Sequence, residues 1–224
     1  MYDTGSDWLV IEAANCSSCL NNTYNSTLSR TWSRVDQDYV EHLYGSAALY
    51  GYDSRETVTL DLANNTRVTA FEFFEIYKQY GLMQNIDGIL GMSRKWIEPG
   101  KFETGPLFIE ALYNTSKISQ QIFGVNFENN PRDSFIDIGY FNESCMRGGS
   151  TNLRWFSIPS DRQVLFWYLR TTAIRFGSFD LMYQGISQAY MFDKYLPAIL
   201  DTGTSMLMIP NVIAADFFGR LLQG

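Results

Sequence analysis

The chain of 224 residues is poor in the groups that many enzymes use for nucleophilic, metal or phosphate chemistry. It has one histidine, His42, and three cysteines. A serine or cysteine triad would have to use His42, and no G-x-S-x-G motif accompanies it. The sequence also has neither a glycine-rich phosphate loop nor a cluster of metal ligands, so we expect no metal and no cofactor. His42 is interpreted as an ordinary strand or loop residue.

Positive charge and long apolar runs are also scarce. The chain has 17 Lys and Arg against 24 Asp and Glu, which gives a net charge of −7. No basic stripe could follow a phosphate backbone, so nucleic acid is not an expected partner. No apolar run approaches the roughly 18 residues that span a bilayer, so no membrane segment is expected in this chain.

An internal repeat is the most informative feature of the sequence. Asp-Thr-Gly occurs in "YDTGSDWLVI" at 2–11 and again in "LDTGTSMLMI" at 200–209, and the two stretches are identical at five of ten positions. Matching flanks on both sides indicate a repeated structural unit rather than a chance tripeptide. Asp3 and Asp201 are therefore expected to occupy equivalent turns.

Two of the cysteines lie close together, in "NCSSC". Cys16 and Cys19 could form a redox pair, half a zinc site or a small structural disulfide. A zinc site lacks further ligands, and a redox pair favours a helix N-terminus, whereas this segment is rich in Asn and Ser. A structural disulfide is the favoured interpretation, and it leaves Cys145 outside the pair.

Asn-X-Ser/Thr sequons are more frequent than composition predicts, six against roughly two expected by chance. Their number favours glycosylation in the secretory pathway, with the lysosome, the vacuole or the cell exterior as the destination. The sequons begin at Asn15, Asn21, Asn25, Asn64, Asn114 and Asn142.

Short β-branched and aromatic segments between Asn, Gly and Pro turns predict a mostly β protein. The predicted strands include "RVTAFEFFEI", "QIFGVNF", "SFIDIGYF" and "LRWFSI". Two segments instead have a helical pattern of apolar residues, "GPLFIEALYNTS" and "PNVIAADFFGRLLQ".

Two carboxyls in equivalent turns could hydrolyse an amide bond if the turns face each other. Carboxyls about 3 Å apart cannot both ionise, so they share one proton, as the aspartic proteases illustrate. The ionised one can act as general base on a water, and the protonated one can donate to the carbonyl oxygen under attack. The glycine of each motif permits a tight turn, and each threonine hydroxyl can bond the opposite loop.

Several motifs in one order resemble the pepsin and cathepsin D-like aspartic proteases. "YDTGS" and "AILDTGTS" resemble the two active-site loops, "LYGSAALYGYDSRETVTL" resembles the flap hairpin, and "NIDGILGM" resembles the segment that supports the first loop. The resemblance implies that Asp3 and Asp201 are catalytic. It implies that the substrate-binding residues are Gly5, Tyr44, Gly45, Ser46, Ile89, Gly203 and Thr204.

The same resemblance implies a bilobal fold, with an N-terminal lobe at 1–157 and a C-terminal lobe at 158–224. About 88 residues lead from Asp3 to Gly91, but only 23 follow Asp201. We therefore expect the second lobe to be incomplete here and the first to lack its first strands. The full-length protein is expected to be a monomer.

The implied function is that of an aspartic endopeptidase acting on polypeptides, between bulky apolar residues and at acidic pH. A pepsin-like protein that binds peptides or inhibits enzymes without cleaving is the alternative. A two-carboxylate glycosidase is weaker, because paired Asp-Thr-Gly loops have no role in that mechanism.

The sequence departs from the family at the residue that normally supports the flap. Family members usually have Trp seven residues after the first catalytic Asp, hydrogen-bonded to the flap tyrosine, whereas this chain has Val10. Trp8 lies two residues earlier and would face the same side of a strand. Trp8 is therefore a candidate replacement.

Overall fold

A computed structural model of the chain describes residues 1–20, 22–60, 66–82, 86–98, 102–158, 165–171, 173–177, 179–180 and 197–222. Strands dominate these residues. They are Tyr2–Asp3 (β1), Leu9–Glu12 (β2), Ser33–Arg34 (β3), Val40–Leu43 (β4), Ala48–Val58 (β5), Val68–Tyr80 (β6), Gly88–Gly91 (β7), Ile97–Glu98 (β8), Phe102–Glu103 (β9), Phe123–Asn126 (β10), Phe135–Ile138 (β11), Tyr168–Arg170 (β12), Arg175–Phe176 (β13), Phe179–Asp180 (β14) and Pro197–Ile199 (β15). The predicted mostly β fold is confirmed.

Two α-helices occur in the described part of the chain, and both were predicted. They are Phe108–Asn114 (α1) and Asn211–Leu221 (α2). Neither helix is long and apolar enough to cross a membrane.

A seven-stranded sheet forms the framework of the first half of the chain. Its order is β1-β7-β2-β6-β5-β3, and β4 also pairs with β5. β1 and β7 are parallel, as are β2 and β6, while β2 is antiparallel to β7. The strand after the first Asp-Thr-Gly motif is therefore central and bonded on both edges.

Both faces of this sheet carry buried apolar clusters. Successive residues point to opposite faces. One face carries a buried cluster that includes Leu9, Phe73 and Leu90 and is closed by α1. The other face carries a second cluster around Val10, Phe74 and Ile89.

The hairpin predicted as the flap is present. β4 and β5 pair antiparallel from Val40↔Gly51 to Leu43↔Ala48, and the Tyr44 N–H donates to the Ala47 carbonyl at 2.7 Å to close the turn. β5 then runs on for eleven residues beside β6. The hairpin is thus a continuation of the main sheet.

One predicted strand is wrong. Residues 153–158, "LRWFSI", have no regular secondary structure, and Trp155 is 80% exposed. β-propensity reflects the fit of a side chain to a pleated, half-buried surface. This segment pairs with none of the described strands, so its β-branched and aromatic composition has no ladder to stabilise.

Removal of the Phe108 ring tests how α1 is held on the sheet. Phe108 is 1% exposed and meets Phe71 edge-on at 5.1 Å between ring centroids. Phe108→Ala should reduce the free energy of unfolding by about 3–5 kcal/mol, because it leaves a cavity. Phe127→Ala is the matched control, since Phe127 is 76% exposed and should change stability by no more than about 0.5 kcal/mol. Denaturant unfolding measures both, and equal effects would refute this account of the core.

Candidate active site

The first Asp-Thr-Gly loop leaves β1 at Asp3 and is held from below by β7. Asp3 lies opposite Gly91 in the parallel pairing, and its carbonyl accepts from the Met92 N–H at 2.7 Å. Farther along, the Ser93 N–H donates to the Ser6 carbonyl at 2.9 Å. A Cβ at Gly91 would lie 2.3 Å from the carbonyl carbon of Asp7, so only glycine fits under the loop.

Within this loop the Asp3 carboxylate is fixed by two short hydrogen bonds. The Gly5 N–H donates to Oδ1 at 2.9 Å and the Ser6 hydroxyl donates to Oδ2 at 2.5 Å. Asp3 is 5% exposed. Both carboxylate oxygens therefore have donors that hold one orientation.

The aspartate of the second loop accepts the same two hydrogen bonds as the aspartate of the first. The Gly203 N–H donates to Asp201 Oδ1 at 2.8 Å, and the Thr204 hydroxyl donates to Oδ2 at 2.6 Å. The strand before it, β15, pairs antiparallel with β12, and the Leu200 N–H donates to the Trp167 carbonyl at 2.8 Å. The repeated sequence therefore forms a repeated local structure.

The threonines of the two motifs tie the loops together, as their hydroxyl groups led us to expect. Thr4 donates its N–H to Thr202 Oγ1 and Thr202 donates its N–H to Thr4 Oγ1, both at 3.0 Å. The Thr4 hydroxyl donates to the Leu200 carbonyl at 2.7 Å, and the Thr202 hydroxyl donates to the Tyr2 carbonyl at 2.8 Å. These four reciprocal bonds relate the loops by an approximate twofold axis.

The glycines let each carboxyl reach the opposite loop. A Cβ at Gly5 would lie 2.6 Å from Asp201 Cγ, and one at Gly203 would lie 2.3 Å from Asp3 Oδ1. Any larger residue at either position would push the carboxyls apart. Both positions thus require glycine because of a close approach across the axis.

Burial raises the pKa of Asp3. Hydrogen bonds from Ser6 and Gly5 oppose this shift, while the Asp201 carboxyl, which contacts Asp3, adds to it. Two like charges in contact inside a partly buried site disfavour double ionisation. The pair thus retains a proton at a higher pH than an isolated aspartate does.

The loops and the flap together line a cleft of about 1150 Å³. Its walls include Gly5, Tyr44, Gly45, Asp201 and Thr204 among the residues that the family resemblance implied. Most of the remaining lining is apolar, including Trp8, Leu165, Phe166, Ile174 and Ile209. An extended chain of apolar residues would fit such a surface.

Three other implied substrate-binding residues, Ile89, Ser46 and Gly203, are not part of the cleft wall. Gly203 instead faces the Asp3 carboxyl, since a Cβ there would lie 2.3 Å from Asp3 Oδ1. Ile89 is 2% exposed and packs between β2 and β6 in the cluster with Val10 and Phe74. Ser46 is exposed at the tip of the flap. The backbone of Gly81 passes close to it, since a Cβ added at Gly81 would lie 2.2 Å from the Ser46 carbonyl oxygen. Contact of any of these three residues with substrate remains a prediction.

The flap tyrosine contacts the first loop rather than a tryptophan. Tyr44 lines the cleft together with Ser6, the residue that donates to Asp3, and burial raises the pKa of Tyr44. Val10 is fully buried. Trp8 does reach the flap, but it does so through His42, at 5.0 Å between ring centroids.

Ser6 and His42 are the site residues that sequence reasoning missed. The repeat contained a signal for Ser6, because Ser6 and Thr204 place a hydroxyl at the same position of both copies. His42 lies in a strand, as expected, yet it also lines the cleft. Its role depends on the neighbouring Trp8 and Phe74, which are distant in sequence.

The environments of the two repeats differ beyond the motifs. Leu9 and Val10 are buried in the sheet, whereas their counterparts Leu207 and Met208 are 82% and 75% exposed. Two strands flank the first copy, but the described residues place none beside 205–209. The second loop is therefore held chiefly by β15 and by the threonine bonds.

The predicted Cys16–Cys19 disulfide is present, and Cys145 is free and exposed. Four of the six sequon asparagines are exposed, namely Asn15, Asn25, Asn114 and Asn142. The sequons at Asn21 and Asn64 lie outside the described residues.

A mostly β chain that brings two Asp-Thr-Gly loops together under a hairpin has the architecture of an aspartic protease. The profile of the eukaryotic aspartyl protease family matches residues 1–222, and the chain belongs to this family.

Curated relatives match at low identity along the whole chain. Vacuolar protease A of Arthroderma otae is 28% identical over 235 residues, which cover 100% of this chain and 53% of the relative. Cathepsin D of Chionodraco hamatus is 28% identical over 95% of this chain and 51% of its own length. Pepsin A of Suncus murinus is 27% identical over 96% of this chain and 52% of its own length. The chain thus spans about half the length of the curated relatives it matches.

Neutralisation of one carboxyl should change how stability depends on pH. The pKa of Asp3 in the folded chain is raised above 3.8, the ordinary value for an aspartate. The folded chain therefore binds more protons than the unfolded chain just above that pH. This contribution to the free energy of unfolding is lost as pH rises through the folded-state pKa. Asp3→Asn should therefore flatten the fall in Tm that the wild type shows as pH rises above 3.8. Asp38→Asn, at an exposed position, is the control and should keep the wild-type slope. Thermal unfolding across this range measures the effect, and parallel curves for all three proteins would contradict it.

Proposed function

We propose that this chain supplies both catalytic carboxyls of an aspartic endopeptidase, Asp3 and Asp201. The observation that carries the proposal is the close approach of each carboxyl to the glycine of the opposite loop. A Cβ added at Gly5 would lie 2.6 Å from the Asp201 carboxyl, and one added at Gly203 would lie 2.3 Å from that of Asp3. Family membership supports the same chemistry.

In the proposed mechanism a water lies between the two carboxyls. The ionised carboxylate takes a proton from this water as its oxygen attacks the scissile carbonyl carbon. The protonated carboxyl donates its proton to the carbonyl oxygen, so charge does not accumulate there. Collapse of the tetrahedral intermediate breaks the C–N bond. The amine leaves with the proton that the first carboxylate took from water, and a hydroxyl of the intermediate returns its proton to the other carboxylate, so the pair again holds one proton.

The hydrogen bonds around the two aspartates support a state in which the pair carries a single proton. Gly5 and Gly203 each donate to the inner oxygen of their own aspartate, and Ser6 and Thr204 donate to the other. Four donors favour an ionised dyad, while burial and mutual repulsion favour a proton on it. The balance leaves one proton on the pair, and activity should be lost as pH rises and this proton is removed.

The substrate class follows from the cleft walls. The predominantly apolar lining favours internal peptide bonds between bulky apolar residues, held under the flap residues Tyr44, Gly45 and Ser46. Gly203 and Thr204 would border the substrate on the opposite side. Polypeptides are the proposed partners, and we propose that the full-length protein acts as a monomer with lobes at 1–157 and 158–224.

Secretory-pathway localisation is the compartment most consistent with the chain. A disulfide persists in oxidising compartments, and four exposed sequons are accessible to glycosylation. The similarity to a vacuolar protease favours an acidic compartment or secretion, which suits a dyad that needs one proton.

Replacement of Asp201 tests the catalytic proposal. Asp201→Asn keeps the shape of the loop but cannot share the proton, so hydrolysis of a denatured protein should be abolished while peptide binding persists. The assay should have its maximum below pH 7 and should not depend on added metal. Asp133→Asn, at an exposed turn, is the control and should retain full activity.

Three results would contradict the mechanism: more than a few per cent of activity in Asp201→Asn, an optimum above pH 7, or a metal requirement. Specific peptide binding by the wild type without any hydrolysis would instead favour a non-catalytic binding protein.

Protein chemistry tests the proposed compartment. In the secreted protein, a non-reduced and deglycosylated digest should contain one peptide linked through Cys16 and Cys19, with Cys145 outside this pair. The exposed sequons at Asn15, Asn25, Asn114 and Asn142 should show the mass change that marks a removed glycan. Unmodified asparagines at all four positions and alkylatable thiols at Cys16 and Cys19 would argue for a reducing compartment.

A further inference from the structure

His42 occupies the strand that leads into the flap. It lies on β4, two residues before Tyr44, so both side chains point to the same face of the hairpin. That face borders the cleft, and both residues line it. His42 is the only basic side chain among the cleft-lining residues of the described chain.

The imidazole ring joins the flap to the body of the protein. Its centroid lies 5.0 Å from the Trp8 ring in an edge-on arrangement and 4.3 Å from the Phe74 ring. Phe74 is fully buried in β6. The Trp8 indole is itself packed closely, since a Cβ at Gly105 would lie 2.3 Å from its Nε1 atom.

The two aromatic partners belong to rigid parts of the site. Trp8 lies between the first Asp loop and β2, and the adjacent Asp7 carboxylate accepts from the Gly105 N–H at 2.6 Å. The position that usually holds the flap-supporting tryptophan is Val10, which has no polar group and is buried. This position therefore offers the flap no hydrogen bond in this chain.

We propose that the Trp8–His42 contact is the positioning contact of the flap, and that it weakens when His42 takes up a proton. With neutral His42 packed on Trp8 and Phe74, β4 stays against the body of the protein and Tyr44 stays in the cleft wall. His42 is a positioning residue in this scheme, because it acts on substrate through Tyr44. This proposal rests on the proposed function in one respect, namely that the ligand covered by the flap is a peptide.

The charges around His42 determine the direction of the pH effect. Burial lowers the pKa of His42, and the Asp7 carboxylate opposes that shift. The other groups packed near it are uncharged: Trp8 after the loop, Phe74 on β6 and Leu49 opposite it on β5. Glu41, its neighbour on β4, lies opposite Tyr50 in the pairing with β5 and points to the other face of the hairpin.

Protonation should therefore favour a more open flap. A histidine exposed to water titrates near pH 6.5, and the packed one titrates lower. The conformation with His42 packed on Trp8 is most favoured, relative to the open flap, above pH 6.5. This free-energy difference becomes smaller as pH falls through the pKa of the packed ring. Acid conditions, under which the dyad is proposed to work, would thus loosen the flap for substrate entry.

The single histidine makes the contact directly measurable by NMR. In the wild-type chain the imidazole signals should titrate with a midpoint below pH 6.5, and Trp8→Ala should move that midpoint up towards 6.5. Trp155→Ala is the matched control, since Trp155 is 80% exposed and contacts Phe141 rather than the flap. A wild-type midpoint at or above 6.5, or one that Trp8→Ala leaves unchanged, would overturn the proposal.

Peptide kinetics test the consequence for the flap. His42→Phe keeps an aromatic contact that cannot be protonated, so it should remove the rise in KM that the wild type shows as pH falls below 6.5. His42→Ala removes the contact and should raise KM several-fold near pH 6.5, with a smaller effect on kcat, and its KM should approach that of the wild type as pH falls. Trp155→Ala should match the wild type.

The two experiments separate this inference from the proposed catalysis. If no variant hydrolyses peptide, the proposed function fails, and the NMR titration still decides the contact. If the chain is active but His42→Phe keeps the wild-type pH dependence of KM, the flap proposal is wrong while the catalytic one stands.

Discussion

The reciprocal hydrogen bonds between Thr4 and Thr202 are the interaction on which the rest of the site depends. Four bonds join residues 196 to 200 positions apart in the chain, and both threonines are partly shielded from water. A hydrogen bond contributes roughly 0.5–1.5 kcal/mol net, so four contribute about 2–6 kcal/mol. Two charges about 4 Å apart repel by roughly 4 kcal/mol at an effective dielectric constant near 20.

These opposing magnitudes are similar, so full charge on both carboxyls would offset most of the stabilisation that the bonds between the loops provide. A retained proton relieves the repulsion, and the pKa of Asp3 is raised accordingly, first by burial and then by the adjacent Asp201 carboxyl. The same proton is the one that the proposed mechanism donates to the scissile carbonyl. Structural stability of the paired loops and the proposed acid-dependent chemistry would thus have one physical origin.

The central position of β2 links this pair to the flap. Successive residues of β2 point to opposite faces of the sheet, so Leu9 packs under α1 while Val10 packs under the hairpin. Trp8, just before the strand, meets His42 on β4. A displacement of the first Asp loop would therefore also displace the contacts of the flap, because Trp8 and β2 follow that loop directly in the chain. The second loop lacks an equivalent among the described strands, which makes it the more weakly supported of the two.

The sequence by itself determined the features that depend on local pattern. The repeated motif located both aspartates, the spacing of apolar residues predicted α1 and α2, and the neighbouring cysteines predicted the disulfide. Tight turns, helix periodicity and short-range cross-links are encoded within a few residues, so they can be recognised without a fold. The tertiary structure decided that Ile89 lies in the core, that "LRWFSI" forms no strand, and that Ser6 and His42 belong to the site. Each of these depends on which residues from elsewhere in the chain lie alongside, because burial, strand pairing and ring contacts are properties of neighbours that the local sequence does not contain.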